Sequence, residues 1–534
     1  MLDRVAGIAS KRPALSALIL GLVAALGYPP LHLWWVSLPA LAAFIALLRS
    51  APTTKAAAWY GWLFGWAHLT LANNWIATAF TYQAEMPEIL GWFAVPLLCI
   101  YLAVYSALAA SAAHWLARGA PLMAFAAVFA GSWIVFEWMR GWVFTGYPWP
   151  PLGLILLGGW ETPGVALIAP YMGTYALSGA AVLLAGAVFA LARRWNGIAL
   201  LPVFTILALV MHAVTPNSGD SDIAYTLVQP LIPQDEINDV SKFDEQFERI
   251  ARLTQAGRGT SRLVLWPESA IPDYLEVDYP QRYYDQTTAV NPLTRQGDPA
   301  FARHRIAGAI GPETTLLTGV INLDIDVING RRRAVSARNS VIAMNGAGEI
   351  THTYAKGHLV PFGEYLPFRS ILEPVGLSRL VAGTIDYRSG PGPRTLDLGE
   401  HGRAGVQICY EIVFSGHVAA REDRPDYIFN PSNDGWFGWW GPPQHLAQAR
   451  LRAIEEGLPV LRSTTTGISA VIDANGIVRQ SVAPGTAGAV EGMIPKAHAP
   501  TLFARFGNTL ALAWALVLLA LGLGLPRLLA LRTS

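Results

Sequence analysis

The chain has 534 residues, of which 53% are hydrophobic and only 14% charged, a balance too apolar for a soluble globular protein of this length. Its formal net charge is +1 with no long basic run, which excludes the phosphate-neutralising surface that nucleic-acid binding requires. Two cysteines, Cys99 in an apolar run and Cys409 in a polar half, exclude a disulfide framework.

Arg4, Lys11 and Arg12 precede an apolar run with no small-residue cleavage site after it, so the start of the chain reads as a retained signal anchor. Seven apolar segments lie before residue 215, at about 13–28, 31–48, 57–80, 89–116, 121–140, 163–191 and 197–214, and an eighth runs from about 508 to 530. Most are long enough to cross a hydrocarbon core of about 30 Å; the first is short and is closed by Pro29 and Pro30. The expected fold is thus a multi-span α-helical membrane domain of about eight transmembrane helices joined to an extracytoplasmic α/β domain. Its expected divisions are seven helices over 1–214, the α/β domain over 215–507, and a last transmembrane helix with a cytoplasmic tail over 508–534. Arg4, Lys11, Arg12, Arg49, Lys55, Arg118, Arg193 and Arg194 fall at alternate connections, with Arg527 and Arg532 after the last segment, and mark both termini as cytoplasmic. Glu85 and Glu88 stand on the expected outer side. Trp34, Trp35, Trp138, Trp142, Tyr147 and Trp149 lie near segment ends, where rings suit the headgroup layer. Glu137 and Arg140, three residues apart near the end of the fifth segment, are expected to pair. Cys99 reads as packing.

From about residue 223 the pattern changes to short apolar runs, at Ile223 to Val228, Leu263 to Trp266, Val341 to Met344, Ala404 to Cys409 and Tyr427 to Phe429, which predict buried strands. Helical spacing of Phe243, Phe247, Ile250 and Leu253, and a second helical pattern from Gln444 to Glu456, alternate with them. The long stretch 276–312 predicts a substrate loop or lid.

Three residues carry chemistry. Cys409 ends a strand-like run and is followed at once by Tyr410 and Glu411, a strand-to-turn position that exposes a nucleophile once a base and a cation lie within reach. Glu268 follows the strand pattern of Leu263 to Trp266, and Pro267 prevents further ladder pairing there. Lys356 lies in Tyr354-Ala355-Lys356-Gly357-His358-Leu359-Val360-Pro361-Phe362-Gly363-Glu364, dense in Gly, Pro and aromatic residues. Singly, each has an unremarkable reading: an inert buried thiol, a loop acid and a surface lysine.

Taken in order, Trp-Pro-Glu-Ser at 266–269, the Lys356 segment, Ile-Cys-Tyr-Glu at 408–411 and Ser-Asn-Asp-Gly-Trp-Phe-Gly at 432–438 resemble the carbon–nitrogen hydrolase, or nitrilase, superfamily. With apolar segments on both sides and Thr-Gly-Tyr-Pro-Trp at 145–149, the full length resembles its membrane-embedded branch, the apolipoprotein N-acyltransferases. The resemblance implies an α-β-β-α sandwich with a Glu-Lys-Cys triad: Glu268 as general base and acid, Lys356 as oxyanion stabiliser and Cys409 as acyl-accepting nucleophile. It implies supporting roles for Glu364, Glu411 and the Tyr410 N–H, and a substrate pocket shaped by Asn433, Trp436 and Trp266. A lysine near the sulfur is expected to lower the thiol pKa.

The implied reaction is ping-pong: a phospholipid sn-1 acyl chain passes through a Cys409 thioester to the α-amino group of the diacylglyceryl-cysteine of apolipoproteins, at the bacterial inner membrane, with no metal or organic cofactor. A membrane-tethered amidase with water as acceptor is the alternative. A transporter is disfavoured, because the charges cluster at segment ends and His68, Asn73 and Asn74 are too few to line a path.

Overall fold

The computed structural model describes residues 11–82, 87–194, 200–255, 261–372, 374 and 385–533; Arg4 and Glu85 lie outside the described residues. Among the described residues seven long helices come first, with a single helical turn at Ile76–Ala79: α1 (Pro13–Ala25), α2 (Trp34–Arg49), α3 (Thr54–Ala72), α4 (Ile89–Ala117), α5 (Leu122–Arg140), α6 (Gly173–Arg194) and α7 (Leu200–His212). Small residues let these helices approach closely. A Cβ added at Gly61 of α3 would stand 2.5 Å from the Ala110 Cβ of α4. By length and composition, three helices among the described residues, α4, α5 and α6, are long and apolar enough to cross a membrane, whereas α1, α2 and α7 are shorter apolar helices. The sixth apolar segment is longer than its helix because Pro170 lies in a 3-10 turn, Val165–Tyr171, and α6 starts only at Gly173.

Two six-stranded sheets follow. The first has the order β12-β1-β2-β3-β4-β5 and is built from β1 (Asp220–Gln229), β2 (Arg262–Leu265), β3 (Thr314–Ile328), β4 (Arg331–Asn345) and β5 (Ile350–Ala355), with β12 defined below. The second has the order β11-β10-β9-β8-β7-β6 and contains β6 (Thr395–Asp397), β7 (Arg403–Val406), β8 (Tyr427–Ser432), β9 (Val460–Thr464), β10 (Ser469–Ile472) and β11 (Val478–Val482). Strand β12 (Gly488–Pro495) crosses back to pair antiparallel with β1.

Strand alternation builds the layers. Leu227, Leu263, Leu265, Leu317, Val341 and Ala343 of the first sheet share one apolar cluster with Ala404, Val406, Phe429 and Leu461 of the second. Val228, Val264, Leu316 and Ile342 point the other way, onto α8 (Phe243–Thr254) and α9 (Pro299–Ile310) through Phe247, Ile250, Ala302 and Ile306. The expected excursion at 276–312 is therefore only partly a loop, since its last third is the core helix α9.

Helix α10 (Gly441–Glu456) covers the second sheet and is buried on every side. Its Leu446, Ala449 and Ala453 join the inter-sheet cluster, while Ala447, Leu451 and Ile454 join the apolar cluster of the first seven helices. Helix α11 (Asn508–Thr533) returns to α5, whose Gly131 leaves room for the Ala515 carbonyl.

Glu137 and Arg140 pair at 3.7 Å as expected, and they also hold the following loop: Arg140 donates to the Trp149 and Pro150 carbonyls, and Glu137 accepts from the Leu152 N–H. Two rings expected at a headgroup layer are instead buried, Trp34 against Phe204 and Trp149 against Trp75, Phe437 and His445. Trp35 and Trp142 are exposed.

Candidate active site

Three strand ends meet at the site. Beyond β2, the Trp266 N–H still pairs with the Leu317 carbonyl, the Pro267 carbonyl takes the last ladder bond from the Gly319 N–H at 3.2 Å, and the chain turns through Ser269 at φ +54°. Glu268 thereby lies over Gly319 of β3, where a Cβ would stand 2.7 Å from the Glu268 Cα, so only glycine fits. Lys356 follows β5 and is tied to β4 by its N–H to the Asn339 carbonyl at 2.8 Å. Cys409 comes from the other sheet, just past β7, at φ +50°, and opens the 3-10 turn Cys409–Val413. A left-handed cysteine is costly backbone, retained where the surroundings enforce it.

All three side chains are buried. Lys356 Nζ lies 3.0 Å from Glu364 Oε1 and 3.8 Å from Glu268 Oε1. Asn339 Nδ2 bridges the two carboxylates, at 2.7 Å to Glu268 and 2.8 Å to Glu364. The second oxygens are taken by backbone donors, Asn433 N–H to Glu268 and Val360 N–H to Glu364, each at 2.8 Å. Burial alone would depress the Lys356 pKa, yet the carboxylates of Glu364 and Glu268 hold it above its usual value. The two carboxylates thus favour the ammonium form.

Glu411 accepts from the N–H groups of Ile408, Gly357 and His358 and from the Tyr354 hydroxyl. It thus locks the Lys356 segment to the Cys409 turn through backbone donors. Burial pushes its pKa up to about 7, opposed by the Ile408 N–H and the Lys356 charge.

For Cys409 the balance differs from the expectation. Burial first, then the neighbouring Glu268 carboxylate, push the thiol well above its usual range, and the Lys356 charge offsets only part of this. The resting sulfur is a neutral thiol, not a lysine-stabilised thiolate. Alkylation by iodoacetamide scales with thiolate fraction. Its rate at Cys409 is therefore expected to rise by about tenfold per pH unit through the neutral range; a plateau near neutrality would show a preformed thiolate.

The remaining expected residues divide. Asn433 is in the site through its N–H to Glu268, and its side chain joins Gln234 and Thr465. Trp436 lies one turn away, with its ring 5.8 Å from that of Tyr82. Trp266 is a correction: alternation sends it outward with Val264, onto α8, where its Nε1 donates to Thr254 Oγ1 at 2.9 Å, so it lines no pocket with the triad. Sequence reasoning missed Asn339, and also a polar layer behind the nucleophile. There Arg462 binds Asp434 with both contacts at 2.7 Å, and His445 reaches Asp434 and the Cys409 carbonyl, each at 3.1 Å. The charged and amide residues on the otherwise apolar pattern of α10 were the available signal. Among the described residues no group of three or more His, Cys, Asp or Glu is placed to hold a metal ion.

Two sheets with Glu, Lys and Cys at their facing strand ends define a class. The carbon-nitrogen hydrolase family model matches residues 226–495, and that of the apolipoprotein N-acyltransferase N-terminal domain matches residues 20–187. Apolipoprotein N-acyltransferases of Rhodopseudomonas palustris and Bradyrhizobium diazoefficiens are each 31% identical, over 95% of this chain and 95% of the relative for the first, and 97% and 96% for the second. That of Caulobacter vibrioides is 32% identical over 95% of this chain and 93% of its own. The chain belongs to the apolipoprotein N-acyltransferase family and is an acyltransferase.

Proposed function

We propose that the protein transfers the sn-1 acyl chain of a membrane phospholipid, through a thioester on Cys409, to the α-amino group of diacylglyceryl-cysteine in apolipoproteins. The observation that carries this reading is the buried Cys409 together with the buried ionic cluster of Glu268, Lys356 and Glu364, in a chain of this family. Glu268 takes the Cys409 proton as sulfur attacks the ester carbonyl carbon. Lys356 Nζ and the Tyr410 N–H stabilise the oxyanion. As the C–O bond breaks, Glu268 returns the proton to the leaving alkoxide, which departs as lysophospholipid. The amine then attacks the thioester, its proton passes to Glu268, and the thiolate leaves and is reprotonated. Trp75, Ile89, Trp92, Phe437, Trp439 and Trp440, with Glu88 and Thr81 at its polar side, line a cavity of about 480 Å³ beside the 433–440 turn, suited to a fatty chain.

The reading includes a topology of about eight spans with both termini cytoplasmic and residues 215–507 outside the cytoplasm, as in an inner membrane. Apolar helices flanking the α/β domain and the placement of the basic residues support it. The test supplies a defined phospholipid with and without a diacylglyceryl-cysteine peptide. Lysophospholipid stoichiometric with N-acyl peptide, and little free fatty acid, is expected. Free fatty acid at the same rate with or without peptide would make water the acceptor and the protein a hydrolase.

A further inference from the structure

The Cys409 turn rests on a histidine that no step above uses. His445 is fully buried on α10, with Nε2 3.1 Å from the Cys409 carbonyl oxygen and Nδ1 3.0 Å from Arg462 Nη2 and 3.1 Å from Asp434 Oδ1. These contacts choose the tautomer. A proton on Nε2 makes two good contacts, donating to the carbonyl and leaving Nδ1 to accept from Arg462. A proton on Nδ1 would satisfy only Asp434, while opposing a lone pair to the carbonyl and an N–H to the guanidinium. The Nε2–H form does set the Nδ1 lone pair 3.1 Å from Asp434 Oδ1, a repulsion that Arg462 Nη2, in contact with Nδ1 and with both Asp434 oxygens, screens.

We propose that His445 is a positioning residue for the nucleophile, its Nε2–H holding the Cys409 carbonyl and so fixing the left-handed backbone that aims the sulfur at Glu268 and Lys356. The same carbonyl accepts from the Ile412 N–H within the 3-10 turn Cys409–Val413, and Asn430 Nδ2 lies at a long 3.5 Å, so the histidine is the principal side-chain donor and the one that ties the turn to α10. Its ring is itself wedged by Trp149 and Phe437, with centroids 5.0 and 5.5 Å away. Trp149 Nε1 in turn donates to Gln444 Oε1 at 2.8 Å, and Gln444 Nε2 to the Ala72 carbonyl at the end of α3. The helices of the first 212 residues therefore brace the nucleophile through α10.

The inference rests on Cys409 being the acyl carrier, and the test separates the two. A glutamine amide nitrogen reaches the place of Nε2, whereas that of asparagine stops near Nδ1. Full-length wild type, His445→Gln and His445→Asn are compared for acyl-enzyme formation from a defined phospholipid, with kcat and KM resolved, alongside Cys409 alkylation against pH. His445→Asn is expected to lower kcat about ten- to hundredfold, as misplacement of a reacting atom by about an ångström does, with KM for phospholipid within about twofold. His445→Gln is expected to stay within about threefold of wild type, with the alkylation profile of wild type. Equal rates for the two variants, or a loss confined to KM, would overturn the assignment. Should the Asn variant not fold, a folded His445→Gln more than about tenfold slower than wild type overturns it alone. No adduct on wild type would instead remove the acyl-carrier reading.

Discussion

Glu268→Gln is expected to slow the first half-reaction by about two to four orders of magnitude, the range of a positioned general base, while leaving the fold intact. The glutamine oxygen can keep the Asn433 N–H bond that seats the side chain, at the cost of the Asn339 Nδ2 bond, which falls on the other carboxylate oxygen. What disappears is the proton acceptor, and the buried thiol has no other route to thiolate, because burial keeps it neutral at working pH. The loss should therefore shrink as pH rises and the thiolate becomes populated without the base. Single-turnover acyl-enzyme formation followed from neutral to alkaline pH measures this. A rate deficit independent of pH would mean that Glu268 positions groups rather than carrying the proton.

Lys356→Met is expected to abolish acylation and also to destabilise the protein by about 3–5 kcal/mol, because it leaves buried carboxylates without their cation. Glu268 and Glu364 both face Nζ and share Asn339, so removing the ammonium leaves like charges held together out of water. Adding Glu364→Gln removes one of those charges, and the double variant should recover most of the lost stability while remaining inactive. Thermal or denaturant unfolding in detergent, beside acyl-enzyme formation, separates the two effects. Activity returning together with stability would reduce Lys356 to a structural counter-ion.

The sequence pattern revealed those elements of the site that depend on local order. Strand-then-turn signals place Glu268 and Cys409 at strand ends, Lys356 is marked only by its Gly-, Pro- and aromatic-rich segment, and β1, β2, β7 and β8 form where short apolar runs predict them. Where it fell short, the determinant was long-range. Asn339 enters the site because the register of β4 on β5 sets Ser340 opposite Ala355, which spacing along the chain does not encode. The inner and outer faces of β2 alternate, so Trp266 belongs with Val264 on α8 rather than with the triad; the period of two was legible there and argued against the pocket role.

Helix α10 is the larger surprise. The helical pattern from Gln444 to Glu456 says nothing of which face is covered, and Gln444, His445, Arg450, Arg452 and Glu455 are all buried. Arg450 donates to the carbonyls of Gly158, Gly159, Thr162 and Gly476, and Glu455 accepts from the Thr174 N–H at the start of α6 and from Ser415. A polar helix face became an internal one because loop carbonyls and a helix N-terminus of the first 212 residues satisfy it. Trp149, near a segment end, packs inward because the same helix offers Gln444 Oε1 to its Nε1 and the His445 ring to its face.

Intact-protein mass spectrometry of wild type and Cys409→Ala after incubation with one defined phospholipid, with and without hydroxylamine, bears most directly on the account. It predicts a single fatty-acyl mass on wild type alone, removed by hydroxylamine and matched by released lysophospholipid. An acyl adduct that persists on Cys409→Ala, or no adduct on wild type while lysophospholipid accumulates, would contradict Cys409 as the acyl carrier.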